Sequence, residues 1–253
     1  NNKKTGTAKL TITGTGSYYG TISQTFKITA ASTSNSSGQN PSASNTTMLK
    51  PGTVKTDSAT KNVYKVKTAT TVELTQVKNQ AATALTVPST VTLSGKTYKV
   101  TSIAANAFKN NKKLKRVTIS GYVTTIGAGA FQSCTALTTV KMGARVTTIS
   151  SKAFYGCRKL TTVALGRNVK TIGTLAFANC VSLRKFTVPA NVAKIGTKAF
   201  CNDVKLVSFT IQSQKLTSKT IGSKAFTNMG KNNYKKLVVK VPKNKVNTYK
   251  KLL

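Results

Sequence analysis

Apolar residues return along the second half of the chain at a fixed interval. Ile103, Ile126, Ile149, Ile172 and Ile195 lie 23 residues apart, and Ile221 follows after 26. Five residues after each stands the Phe of an Ala-Phe pair: Phe108, Phe131, Phe154, Phe177, Phe200 and Phe226. Three more columns keep the step. They are Leu114, Leu137, Leu160, Leu183 and Leu206; then Val117, Val140, Val163, Phe186 and Phe209; then Ile119, Met142, Leu165, Val188 and Ile211. One such unit buries too little apolar surface to stand alone, so the columns predict a solenoid whose core comes from stacking. Each coil is expected to hold a strand like 137–142, with Leu137, Val140 and Met142 inward, and a second extended arc like 146–149. A helical or 3-10 turn is expected around Phe154, with the ring inward. Strands of neighbouring coils should pair in parallel at about 4.8 Å.

Two intervals break the rule. Ten residues separate Ile211 from Ile221 where seven are usual, so 213–219 should bulge from one arc. Sixteen separate Val87 from Ile103, which inserts a hairpin, 89–100, into the first coil, with Ser94, Gly95 and Lys96 at its turn.

Outside the repeats the period changes to two. Alternation through 62–77 and 89–100 predicts a β-rich N-terminal cap over 50–102, before a leucine-repeat-like solenoid over 103–230 and a Lys-rich C-terminal cap over 231–253. Residues 30–49 read as a Ser/Thr/Asn linker, since 30–47 carry no charge and almost no apolar bulk. Before it, Leu10 and Ile12, then Ile22, Phe26 and Ile28, read as two strands joined around 14–20. Two strands alone are marginal in water, so 1–29 is expected to be the end of a truncated domain. Asn1 is not an initiator Met and no charged-then-apolar leader follows, so the chain is expected to start inside a longer polypeptide. The fold class is therefore mainly β with short helical or 3-10 turns.

The units AFYGCRKLTTVALGRNVKTIG and AFANCVSLRKFTVPANVAKIG resemble the BspA-like, Treponema-type leucine-rich repeats, and the resemblance extends over 85–230. The phrase GTAKLTITGTGSYYGTISQTFKI resembles the closing strands of bacterial immunoglobulin-like surface repeats of the MBG type. Together these resemblances imply an exported, extracellular or cell-surface protein of a Gram-positive-type bacterium. They also imply attachment to host matrix proteins or to other cells.

Charge narrows the function. Forty Lys and Arg face three acids, Asp57, Glu73 and Asp203, and there is no His, for a net charge of +37. General acid–base chemistry draws on His or on carboxylate pairs, and metal sites need clustered His, Cys or carboxylates, so the expectation is no enzyme, no cofactor and no metal. Cys134, Cys157 and Cys180 share one column. Stacked equivalents sit at the coil spacing, wider than the roughly 3.8 Å between Cβ atoms that a disulfide prefers, so a ladder of buried free thiols is expected. Asp203 continues that column as a backbone-bonding substitute, while Cys201 lies two positions out of register.

Alternation along the strands assigns Arg116, Thr118, Thr139, Lys141, Thr162, Lys185, Thr187, Ser208 and Thr210 to the concave face, the expected ligand-binding surface. Only five of the forty cations are Arg, which favours diffuse polyanion attraction over base reading, and no specific nucleic acid is expected. Lys235, Lys236, Lys243 and Lys245 fall in the densest stretch, with eight Lys in 231–251. The leading reading is a monomeric, non-catalytic adhesion module with no membrane span. It would bind a host or neighbouring-cell surface protein, or an anionic polymer such as a wall polymer, glycosaminoglycan or mucin. The alternatives are a wall spacer held by anionic polymers, or the accessory end of a secreted enzyme whose catalytic domain lies upstream.

Overall fold

The computed structural model describes residues 6–13, 21–28, 48–79 and 81–250, in two compact units, Asn1–Asn45 and Thr46–Leu253. In the first, β1 (Gly6–Thr13) and β2 (Thr21–Ile28) form an antiparallel pair with Ile12 opposite Ile22. The expected linker lies outside the described residues up to 47. Leu49, its last residue, packs against the core of the second unit and gives its N–H to Tyr98 Oη at 3.3 Å.

The second unit opens with β3 (Val54–Thr56), β4 (Val63–Thr68) and β5 (Thr71–Gln76), an antiparallel meander. After β6 (Ala84–Val87), β7 (Thr90–Leu93) and β8 (Lys96–Ile103) form the inserted hairpin. Leu93 faces Lys96 across Ser94 and Gly95, both with positive φ, as a two-residue hairpin turn requires. β5 then pairs with β8 in parallel, which joins the cap to the stack.

Each coil thereafter contributes a long and a short strand. The long ones are β9 (Arg116–Ile119), β11 (Thr139–Met142), β13 (Thr162–Ala164), β15 (Lys185–Val188) and β17 (Ser208–Ile211). The short ones are β10 (Thr125–Ile126), β12 (Thr148–Ile149), β14 (Thr171–Ile172) and β16 (Lys194–Ile195). The short strands stack in parallel on β8 without a break, so Ile103, Ile126, Ile149, Ile172 and Ile195 form one buried file. The long strands begin their ladder one coil before Ile103, because β6 pairs with β9 and sets Leu85 beside Val117.

The Ala-Phe arc departs from expectation. It is a run of turns rather than a helical or 3-10 turn, because two residues per coil sit in the left-handed region, such as Lys152 at φ 57° and Gly156 at φ 70°. This conformation lets alternate N–H groups point to the next coil. Phe131 donates to Ala153 C=O and Phe154 to Ala176 C=O, both at 2.8 Å, while Ala153 bonds back three residues to Ser150 C=O. A helix would turn every N–H along the arc and leave the coils unconnected on this side. The rings of Phe108, Phe131, Phe154 and Phe177 stack nearly parallel, with centroids 4.8, 5.2 and 5.3 Å apart.

The bulge at 213–219 is anchored. Leu216 is buried, Ser213 Oγ donates to Val192 C=O, and Tyr249 from α1 (Val246–Lys250) donates its hydroxyl to Ser213 C=O at 3.3 Å. Ahead of α1 the chain adds β18 (Val238–Lys240), parallel to β17, so the Lys-rich tail continues the long-strand sheet. Its 3-10 segments, Lys231–Lys236 and Lys243–Lys245, flank that strand.

Candidate binding face

Strand register arranges the outward side chains of the long-strand sheet into rows. Arg116, Thr139 and Thr162 align, as do Thr118 and Lys141, and farther along Lys185 with Ser208 and Thr187 with Thr210. Arg116, Thr118, Lys141, Thr162, Lys185 and Thr187 are exposed; Thr139, Ser208 and Thr210 are half-buried. Inward neighbours Val117, Val140 and Phe186 are buried, so the period-two alternation is met. All nine residues named from the sequence thus lie on one side of this sheet. Lys235, Lys236 and Lys243 are exposed and Lys245 half-buried at the far end.

The acids offer this surface no compensation. Asp57 accepts from the Thr60 N–H at 2.9 Å and from the Thr60 hydroxyl, which hold its carboxyl below the usual range. Glu73 accepts from Ser102 Oγ at 3.0 Å. Asp203 is fully buried; its Oδ1 accepts the Cys180 N–H at 2.8 Å, and burial pushes its carboxyl well above the usual range. Each acid accepts at least one hydrogen bond within the fold.

Cys134, Cys157 and Cys180 are buried and free, and each thiol donates to a Phe carbonyl of the preceding coil at 3.1–3.3 Å. Burial pushes the Cys134 thiol up to about 12 and the other two well above their ordinary value. Cys201 is half-buried. Thiols held protonated in an apolar file are poor nucleophiles and poor metal ligands. Among the described residues no three of His, Cys, Asp or Glu gather as a metal site would need. No helix there is long and apolar enough to cross a membrane.

Six copies of the BspA type leucine rich repeat region match residues 100–234. The chain belongs to the BspA-type leucine-rich repeat family. Among solved structures it is similar to the leucine-rich repeat protein of T. pallidum, at 22% identity and a TM-score of 0.58, covering 74% of this chain and 98% of that one. It is also similar to a leucine-rich repeat protein of Bacteroides ovatus, at 22% identity and a TM-score of 0.52, covering 65% of this chain and 55% of that one. Comparison with curated proteins finds no match. At this identity the structural likenesses establish the fold. For a BspA-type repeat protein the long-strand sheet is the surface to examine, because extended faces of stacked strands are what solenoids use for binding.

Sequence reading missed one feature of that sheet. Strands β13 and β15 are neighbours in the stack but are not paired, so the sheet is split in two. Pro189 is the signal that was available. It stands in the column of Ser120 and Gln212, whose N–H groups each bond the coil before, and proline has no N–H.

Proposed function

We propose that this chain is a non-catalytic binding module of an exported bacterial surface protein, and that it holds an acidic partner on its long-strand sheet. The observation that carries the reading is the exposed, in-register grid of Thr with Arg116, Lys141 and Lys185, on a molecule whose three acids are all engaged internally. A fixed lattice of hydroxyls and cations on a rigid sheet is pre-organised, which lowers the ordering cost of binding. A surface protein of the host or of a neighbouring cell, or an anionic polymer, suits such a face. The hairpin of the first unit is read as the end of an immunoglobulin-like repeat, in keeping with an extracellular, monomeric stalk-like protein.

A second reading has its own support. Lys235, Lys236 and Lys243 are exposed at one end of the stack, flanking β18, where lysine density is highest. Such a cluster would retain the protein on anionic wall polymer by screened attraction.

Titrating polyglutamate or heparin against salt separates the two. Changing Arg116, Lys141 and Lys185 to Gln should weaken binding most if the face is the site. Changing Lys235, Lys236, Lys243 and Lys245 to Gln should chiefly flatten the salt dependence. No effect of the first set on any acidic ligand would refute the face reading.

A further inference from the structure

Along the long-strand side, each coil bonds the one before in the same way. Lys115 N–H meets Thr83 C=O, Thr138 meets Lys115, Thr161 meets Thr138, Val207 meets Arg184 and Val238 meets Val207. One step is missing, from Arg184 to Thr161. Two residues change at this step. Pro189 has no donor for the coil before it. Phe186 is the first Phe in a column of Val117, Val140 and Val163, and its ring stands edge-on to Phe177 at 5.0 Å and to Phe200 at 4.8 Å. The Phe file widens along the whole stack, from 4.8 Å at Phe108–Phe131 to 5.7 Å at Phe177–Phe200 and 6.1 Å at Phe200–Phe226.

The consequence is a trench between β13 and β15. One stretch, about 420 Å³, is lined by Thr162, Val163, Arg184, Lys185 and Thr187. Its continuation, about 440 Å³, shares Val163 and Thr187 and adds Leu165, Arg167 and Asn191. Val163 and Leu165 are left half-buried here, whereas Val117, Ile119, Val140 and Val188 in the same columns are at most 1% exposed. The trench therefore has an aliphatic floor, two facing strand edges and cations at both ends.

We propose that this trench seats an extended, acidic segment of a partner polypeptide. Its carboxylates would meet Arg184, Lys185 and Arg167, and its apolar side chains would cover Val163 and Leu165, with the segment lying over the trench. β13 and β15 still approach within 8 Å, too close to admit a strand between them, so the segment is held through its side chains, alternate ones entering the adjoining pockets. The inference rests on the reading of this sheet as the binding face and adds where on it the ligand sits.

The test uses the whole chain and an eight-residue Glu-Val repeat peptide as probe. In the free protein the Arg184 amide should exchange with solvent faster than those of Thr161 and Val207, and the peptide should slow it. The variant Phe186→Val with Pro189→Ser gives both positions residue types that their columns carry in paired coils, as at Val117 and Ser120. It should close the split and weaken peptide binding at least about tenfold, with heparin binding unchanged because no cation is altered. Arg184→Gln with Arg167→Gln should weaken peptide binding similarly without touching the packing. Equal peptide affinity in both variants, or an Arg184 amide as protected as its neighbours, overturns the inference. So does heparin binding that follows the split while peptide binding does not. If the face variants of Arg116 and Lys141 matter and the split variants do not, only the trench fails; if no variant on the sheet affects any ligand, the face reading fails with it.

Discussion

Asp203 Oδ1 accepts the backbone N–H of Cys180 across one coil, at 2.8 Å, while Oδ2 has no partner. A buried carboxylate with one open oxygen is costly, and burial holds its proton on well above the usual range. The folded chain therefore keeps a proton that the unfolded chain loses above roughly pH 3.9. This contribution to stability is full below that pH and is lost as pH rises through the folded value, by up to about 1.4 kcal/mol per pH unit for one proton.

Asp203→Asn should remove that slope and raise stability at neutral pH. The thing to measure is urea unfolding of both proteins across the acid and neutral range. Asp57, whose lowered carboxyl acts in the opposite sense and loses its contribution as pH falls, is common to both and cancels in the difference. Parallel curves for the two proteins would count against a protonated Asp203.

Phe154→Ala should cost about 3–5 kcal/mol, the usual range for emptying a buried aromatic site. Its ring stacks on Phe131 and Phe177, so truncation opens a void shared by three coils. A loss below about 1 kcal/mol would mean that the aromatic file contributes little to stability.

Thiol reagent should leave Cys134, Cys157 and Cys180 untouched in the native protein and label all three on unfolding. Their burial and their raised thiol pKa, which keeps them protonated, both oppose attack. Native labelling of Cys157 at the rate of a free thiol would contradict the ladder.

Leu175 sits at φ 56°, in the file where Asn106 and Gly129 take the same conformation. A branched residue there is strained by roughly 1–2 kcal/mol, so Leu175→Asn should stabilise the fold by a few tenths to about 1 kcal/mol. Thermal unfolding decides this, and a lower midpoint would show that the partly buried Leu contributes more through contacts than it costs in strain.

The columns were legible because burial acts on side-chain type at a fixed interval. Ile126, Phe131, Leu137 and Val140 each meet the same neighbours in every coil, so the repeat shows in the sequence. The Ala-Phe arc was not, since left-handed φ at Lys152, Leu175 and Lys198 is imposed by bonds between coils and not by residue preference. The packing of the tail was hidden for a related reason. Lys density at 231–251 hides that Val239 packs on the core beside Phe209 and that Tyr249 closes the bulge. At the binding face the alternation named nine outward residues but not Ala84 and Thr86 on β6, Ala164 on β13 or Val238 and Lys240 on β18, and the split required reading Pro189 as a missing donor rather than as punctuation.

The internal engagement of Asp57, Glu73 and Asp203 also governs how many copies behave together. With a net charge of +37 and no acid left unengaged, the protein is a colloid of one sign. Three acids offer a neighbour's lysines almost nothing to pair with, so a crowded layer of copies spaces itself by repulsion, over a range that shrinks to about 8 Å at physiological salt. Added polyanion reverses the behaviour: near charge balance it bridges copies into a dense phase, and in excess it disperses them again. Turbidity against the ratio of polyanion to protein should rise and then fall, with a maximum that moves as lysines are removed.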